Sequence, residues 1–283
     1  MTMPFRRLQL PDSVGEMLGR ARHEVLPLRG VEEQFDHLRP GSTVTVTASP
    51  KLGIDRTLHY TELLAEHGYR AVPHLAARDI GDDEQLRRIV ARLDAAGVRD
   101  AFVIGGDLAG GTGTYPSGTE LIEAVAELAG DRLHLGIAAY PEGHPVIDDS
   151  ELLDALLRKQ RVAHYMVSQM CFDPAKIVEW LRRVRDRGVE LPLYVGIPGA
   201  VRRAKLLELS FKLGIGPSIR YLSKQRGLLS SVSRPGRYQP GAIVAGLSRA
   251  VNDPALGIAG FQVFTFNQVA RTVLWERRAS GAR

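Results

Sequence analysis

Residues 82–107 read DDEQLRRIVARLDAAGVRDAFVIGGD. Two aspartates open the segment, and Leu86, Ile89, Val90 and Leu93 then recur at i, i+3, i+4 and i+7, the spacing of a helix that buries one stripe. Gly97 ends that helix. Asp100 to Ile104 follows, apolar through its middle as expected of a strand buried on both faces of a parallel sheet, and it exits into Gly105-Gly106-Asp107. A helix feeding a short buried strand that gives way to a glycine-rich turn is one unit of an α/β fold.

The unit recurs in both directions. His23 to Leu26 closes at Pro27 before a helix that begins near Val31, Ser42 to Thr47 stops at Ser49-Pro50 before a helix from about Leu58 to His67, and Tyr69 to His74 runs into Leu75 and Ala76. Leu133 to Ala139 leads into Tyr140-Pro-Glu-Gly-His-Pro145, Ala163 to Ser168 into Gln169, Leu191 to Ile197 into Pro198, and Gly260 to Phe264 into Thr265, Phe266 and Asn267. Eight strands alternating with helices predict a single-domain (β/α)8 TIM barrel over 1–283, whose site is built from the loops at the C-terminal strand ends. The expected embellishments are an N-terminal extension over 1–20, a helical and basic insertion over 204–242 that elaborates the connection between strands 7 and 8, and a flexible tail over 277–283.

Composition narrows the function. The chain has 283 residues, 44% hydrophobic and 24% charged, with a formal net charge of +5. The excess basic residues are dispersed, with a modest concentration from Lys205 to Arg237, and no nucleic-acid-binding module is recognisable. That basic stretch reads either as a solvated surface or as a landing strip for an anionic small molecule. Apolar runs are broken by charges before they reach the ~20 residues of a membrane span, and Met1 to Arg22 has no signal-type h-region, so a cytoplasmic protein is expected. The single cysteine, Cys171, excludes an intrachain disulfide and reads as a packed thiol beside Met170 and Phe172.

The strand ends carry the chemistry. Glu24 lies inside the first strand, where a carboxylate facing a barrel interior is costly unless it is hydrogen-bonded or held protonated with a raised pKa. Such a group suits general-acid chemistry near neutral pH, while the competing reading has it satisfied by a neighbouring arginine such as Arg22. His74 and His144 lack the spacing of metal ligands, and no metal site is expected. Gly105 to Gly111 is not a dinucleotide fingerprint, because a helix opens only near Ser117, which leaves no helix N-terminus beside the glycines. Asp107, at the base of this loop, is a second carboxylate candidate.

Taken in order, these strand ends resemble the methylenetetrahydrofolate reductase family. Tyr140-Pro-Glu-Gly-His-Pro145 is similar to the family's AYPExHP, His23-Glu-Val-Leu-Pro27 to FEFFPP, Val44 to Thr47 with Asp55-Arg-Thr57 to VSVT and DRT, and Pro73-His-Leu75 to PHL. Gly106-Asp107 resembles the RGD-type turn, Arg158-Lys159 the RK of the following helix, Ser168-Gln169 with Phe172-Asp173 the TQFFFD segment, Gly196-Ile-Pro198 the PGI-type turn, and Phe264-Thr-Phe-Asn267 the FYTLN end.

The resemblance implies reduction of 5,10-methylenetetrahydrofolate to 5-methyltetrahydrofolate, with FAD carrying hydride from NADH or NADPH. It implies Glu24 as the acid that opens the imidazolidine ring, and Asp107 as the charge that stabilises the resulting cation. Thr47, His74, Gly106, Asp107, Tyr140, Glu142, His144, Arg158 and Lys159 are then the cofactor contacts. Glu24, Asp107, Gln169 and Asn267 are the substrate contacts. The implied partner is a small-molecule folate, with no nucleic acid and no membrane, and a homo-oligomer is compatible with the sequence.

The chain departs from the family pattern at several flavin contacts. Gly105 stands where an arginine commonly precedes Gly-Asp, Ala48 replaces a tyrosine, and Gln268 replaces the arginine after FYTLN. Losing an arginine removes a fixed cationic donor for an anionic cofactor. Three alternatives follow: a flavin-free reductase using NAD(P)H directly, a folate-dependent methyl-transfer enzyme on the same barrel, and a non-catalytic folate- or flavin-binding partner.

Overall fold

In a computed structural model describing residues 10–106, 113–144, 146–200 and 240–281, eight parallel strands close into a barrel in sequence order. The strands are β1 Arg22–Val25, β2 Thr43–Val46, β3 Arg70–Ala76, β4 Asp100–Ile104, β5 His134–Ala139, β6 Tyr165–Ser168, β7 Leu193–Pro198 and β8 Ile258–Phe264. The helices are α1 Asp12–Gly19, α2 Ile54–Glu66, α3 Asp83–Ala95, α4 Gly118–Ala129, α5 Asp149–Lys159, α6 Pro174–Asp186, α7 Gly241–Gly246 and α8 Val269–Ala279.

Local signals explain the boundaries. The α3 stripe of Leu86, Ile89, Val90 and Leu93 is buried, and the Asp82 side chain caps the helix by accepting from the Gln85 amide at 2.6 Å. Asp173 caps α6 in the same way, with Pro174 in the first turn, where its missing N–H costs nothing. Closure comes from β1 pairing with β8, with Glu24 opposite Phe264 on one side and Thr45 on the other. No helix among the described residues is long and apolar enough to cross a membrane.

Four features differ from the sequence reading. The helix expected after β1 is a 3-10 helix, Val31–His37, and α2 begins at Ile54, a turn earlier than expected. Within the expected extension, α1 buries Val14 and Leu18 and packs on β8 and α8. The expected tail is helical through Ala279, and the Ser280 backbone lies so close to Gly15 that a Cβ there would meet its carbonyl oxygen at 3.3 Å. The expected basic insertion lies outside the described residues except for the start of α7.

The barrel interior is polar at its N-terminal end. Arg22, Asp100 and Tyr165 each begin their strands; Arg22 Nη2 donates to the Tyr165 hydroxyl at 2.7 Å, which donates to Asp100 Oδ1 at 2.5 Å. The guanidinium also stacks on Tyr165 and Tyr194, 4.3 and 4.9 Å from their ring centres. Gly136 makes this possible, since a Cβ there would fall 2.3 Å from the Tyr165 ring.

Candidate active site

Glu24 points into the barrel from the middle of β1, its side chain 11% exposed. Gln262 on β8, 1% exposed, donates from Nε2 to Glu24 Oε2 at 3.1 Å and to Thr45 Oγ1 on β2 at 2.8 Å. His74 Nε2 on β3 lies 3.8 Å from the same carboxylate oxygen. Arg22 is committed to Asp100 and Tyr165 instead, so the reading of Glu24 as an arginine-satisfied glutamate does not hold. The strand alternation is the cause: Arg22 and Glu24 share the interior face but sit one step apart, and the guanidinium turns toward the N-terminal end.

Burial pushes the Glu24 carboxyl up to about 8, opposed by the hydrogen bond from Gln262. His74 is driven the other way, to about 3, by burial and then by the positive charge of Arg22. Both groups are therefore neutral near pH 7: an acid holding its proton beside a histidine without one. His74 Nε2 and Gln262 Oε1 are buried without hydrogen-bond partners. Unsatisfied buried atoms around a proton-bearing carboxyl characterise a binding site more than a folding core.

The remaining expected residues fall into two groups. Facing or edging the mouth are Thr47, at the end of β2 with a buried, unpaired Oγ1, and Gly106, at the end of β4 with φ of +85°. Tyr140 follows β5, its ring 5.0 Å from that of His144. Gln169, after β6, donates from Nε2 to the Gly143 carbonyl at 3.1 Å, tying the sixth loop to the fifth. Leu26, Leu28, Met170, Phe264 and Phe266 form an apolar wall at the β1 and β8 exits, suited to a flat ring.

The second group braces the scaffold. Glu142 Oε1 accepts from the Phe172 and Asp173 amides, each at 3.0 Å. His144 Nδ1 accepts from the amides of Val146 and Ile147, at 3.3 and 3.1 Å. Asn267, at φ of +56°, accepts from Leu26 N at 2.8 Å and donates to Leu26 O at 3.0 Å, stapling the β8 exit to the β1 exit. In the DRT-like segment, Thr57 Oγ1 donates to the Thr47 carbonyl at 2.9 Å, while Asp55 pairs with Arg92 on the outer layer. Arg158 faces α4, pairing with Glu120 and Glu123 at 3.8 and 3.4 Å, and does not turn toward the mouth. Lys159 lines a crevice between α5 and α6 with Tyr140, Trp180 and Arg183, and burial lowers its pKa. Asp107 lies outside the described residues.

Two features escaped the sequence reading. Gln262 was legible as a polar residue in an otherwise apolar strand, but nothing local tied it to a glutamate 238 positions away. The N-terminus of α4 does lie beside the glycines, contrary to expectation: a Cβ on Gly118 would come within 3.1 Å of the Gly105 nitrogen. Cys171 is buried, its thiol directed to Ser168 Oγ and the Gln169 carbonyl, and burial raises its pKa. Among the described residues no group of three or more His, Cys, Asp or Glu is placed to hold a metal ion.

A flavin ring fits the residues at the mouth. The unpaired Thr47 hydroxyl and the apolar wall offer a donor and a flat surface, whereas the bare side of Gly106 faces Ala76 and Arg78. Lys159, in the crevice beside Tyr140, would suit a phosphate, whereas Arg158 is occupied elsewhere.

A closed parallel barrel with a carboxyl on β1 turned into its interior defines the class as a TIM-barrel protein. The family model for methylenetetrahydrofolate reductase matches residues 33–210, more than half of the chain, and the protein belongs to that family. Similar proteins include methylenetetrahydrofolate reductase 2 of Saccharomyces cerevisiae, 29% identical over 89 residues (30% of this chain, 15% of that protein). Methylenetetrahydrofolate reductase 1 of Schizosaccharomyces pombe is 25% identical over 136 residues (43% of this chain, 23% of that protein). A probable methylenetetrahydrofolate reductase (NADPH) of Caenorhabditis elegans is 23% identical over 168 residues (57% of this chain, 23% of that protein). The matches thus span less than a quarter of the length of these relatives. A solved putative lyase/mutase from Burkholderia cenocepacia J2315 is alike in fold, with a TM-score of 0.50 at 14% identity, covering 95% of this chain and 86% of that one.

Proposed function

We propose that the protein reduces 5,10-methylenetetrahydrofolate to 5-methyltetrahydrofolate with hydride drawn from NADH or NADPH. The observation that carries this reading is Glu24, a carboxyl buried at the floor of the barrel mouth between Gln262 and His74, where burial raises its pKa to about 8. A general acid must be protonated at working pH yet able to give the proton up, and this one meets both conditions. Glu24 would protonate the bridging amine of the folate, so that the five-membered ring opens to an iminium able to accept hydride. Gln262 holds the carboxyl in place and favours its anion after proton transfer, and neutral His74 adds no charge to compete with the substrate cation.

The apolar wall of Leu26, Leu28, Met170, Phe264 and Phe266 would cover the pterin or the ring opposite it and limit water near the iminium. Gln169 and Asp107 are the proposed folate contacts, with Asp107 supplying negative charge to the developing cation. Thr47, His74, Gly106, Tyr140 and Lys159 would hold a flavin, which when bound supplies the hydride relay. Arg158, paired with acids on the outer layer, and the glycine at 105 favour a second reading in which nicotinamide delivers hydride directly.

One cuvette separates the readings. Flavin absorbance at about 450 nm (a general property of the oxidised ring) that bleaches with NADH and returns with methylenetetrahydrofolate supports the flavin route. A colourless protein that oxidises NADH only when the folate is present supports direct transfer. No NADH or NADPH oxidation with either preparation would sink the reductase and leave methyl transfer as the reading to pursue.

A further inference from the structure

The turn at the end of β4 has no side chain at Gly105 or Gly106, and the bare sides of the two glycines face the β3 exit and the start of α4: a Cβ on Gly106 would meet Ala76 Cβ at 3.3 Å. Position 105 is also where the family motif commonly carries arginine. The fold returns an arginine to this place from the neighbouring strand. Arg78, in the 3-10 turn Ala77–Asp79 after β3, donates from Nη1 to the Gly106 carbonyl, and its amide donates to the Gly105 carbonyl at 3.3 Å. A Cβ built on Gly105 would lie 3.9 Å from Arg78 Nη1.

The Arg78 guanidinium is half-buried, and no Asp or Glu among the described residues forms an ion pair with it. This sets it apart from Arg22, Arg92 and Arg158, each of which has a carboxylate partner. Among the described residues the Arg78 guanidinium hydrogen-bonds the Gly106 carbonyl and no carboxylate, which leaves N–H groups for an anionic ligand. Guanidinium is matched to phosphate: one edge can brace a carbonyl while the remaining N–H groups engage two phosphate oxygens. The first turn of α4, packed behind Gly105, adds partial positive charge on the same side.

We propose that Arg78 binds a phosphate of the dinucleotide that delivers hydride, replacing from β3 the cation that position 105 lacks. The proposal rests on the reductase reading, and flavin and nicotinamide dinucleotides share the chemistry it needs. Folate offers carboxylates instead and is the occupant the test must exclude.

The test uses the full-length protein and its R78A and R78K variants, titrated separately with NADH, NADPH, FAD and 5-methyltetrahydrofolate by fluorescence or calorimetry, with melting curves alongside. R78A should weaken a dinucleotide by about tenfold to a hundredfold, the range for charge-assisted hydrogen bonds, and R78K should recover part of the loss. Folate affinity and melting temperature should stay near wild type, and the dinucleotide that weakens identifies the occupant. Unchanged dinucleotide affinities in R78A overturn the proposal. So does a parallel loss of folate affinity and melting temperature, which would make Arg78 a brace for the turn, and so does a selective loss of folate. A wild-type protein that binds no dinucleotide at all would defeat the reductase reading itself, a result obtained before any variant is compared.

Discussion

Gln262 Nε2 and Glu24 Oε2 meet at 3.1 Å across the β1–β8 seam that closes the barrel. The acid is therefore held by the last strand of the barrel, and its position depends on closure. Thr265 reinforces the seam from the same strand end, its hydroxyl donating to the Glu24 carbonyl at 2.6 Å.

Replacing Glu24 with Gln keeps the shape and removes the proton. Turnover should fall by ~10²-fold or more while folate affinity stays within a few-fold, the scale of general-acid loss. The wild-type kcat/KM should decline above about pH 8, where Glu24 ionises, and the residual activity of E24Q should lack that limb. Equal turnover in the two proteins removes Glu24 from the mechanism.

The same group links stability to pH. Folded Glu24 keeps its proton to about pH 8, whereas the unfolded chain releases it near the ordinary carboxylate value. The folded state binds more protons across that window, so this contribution to stability is full in acid and is lost as pH rises toward 8. Urea unfolding at pH 5, 7 and 9 should show E24Q gaining on wild type by about 2 to 4 kcal/mol over the series. Parallel pH dependences would mean that Glu24 titrates normally.

Gln262→Met fills nearly the same volume but cannot donate. The hydrogen bond from Gln262 holds the Glu24 pKa down, so its loss should move the alkaline limb of kcat/KM upward and lower kcat, with little change in folate KM. A limb at its wild-type position would show that Gln262 serves packing alone.

On the outside of the barrel, His23 Nε2 contacts both carboxylate oxygens of Glu276 on α8, at 3.1 and 3.0 Å, with both side chains buried. Glu276→Ala leaves the buried histidine without its hydrogen-bond partner and should destabilise the fold by about 1 to 3 kcal/mol. Denaturant melts should report it, with kcat unaffected where the fold persists. A change below about 0.5 kcal/mol, the range of ordinary surface substitutions, would show the pair to be energetically idle.

Gly136→Ala tests the interior packing. The added methyl meets the Tyr165 ring and must displace it from Arg22 and Asp100, so a loss of roughly 3 kcal/mol is expected from overpacking together with a disturbed buried network. Near-normal stability would require that the ring has room to move.

Much of the architecture was legible because it is local. The α3 stripe, the apolar β4 core and the Gly, Pro and Asp punctuation each follow from a few neighbouring residues, and the strand readings at Asp100–Ile104 and Gly260–Phe264 fall within the observed elements. Glu24 stood out as a carboxylate in a strand for the same reason. The motif residues did not divide so easily: Thr47 and Gly106 edge the mouth, whereas Arg158 and Asn267 are engaged in the scaffold. A motif records which residues occur together and not which way each side chain turns.

The sequence by itself determined the period of the elements, the (β/α)8 class and an acid on the first strand, because helix and strand patterns are written in residues a few positions apart. Only the tertiary structure decided that Arg22 belongs to Asp100 and Tyr165, that Gln262 reaches Glu24, and that Arg78 comes to the turn at Gly105. Those relationships arise when barrel closure brings distant strands side by side, and burial then sets which charges survive. Glu24 keeps its proton for that reason: its environment is assembled from β1, β2, β3 and β8, and no segment of the chain contains it alone.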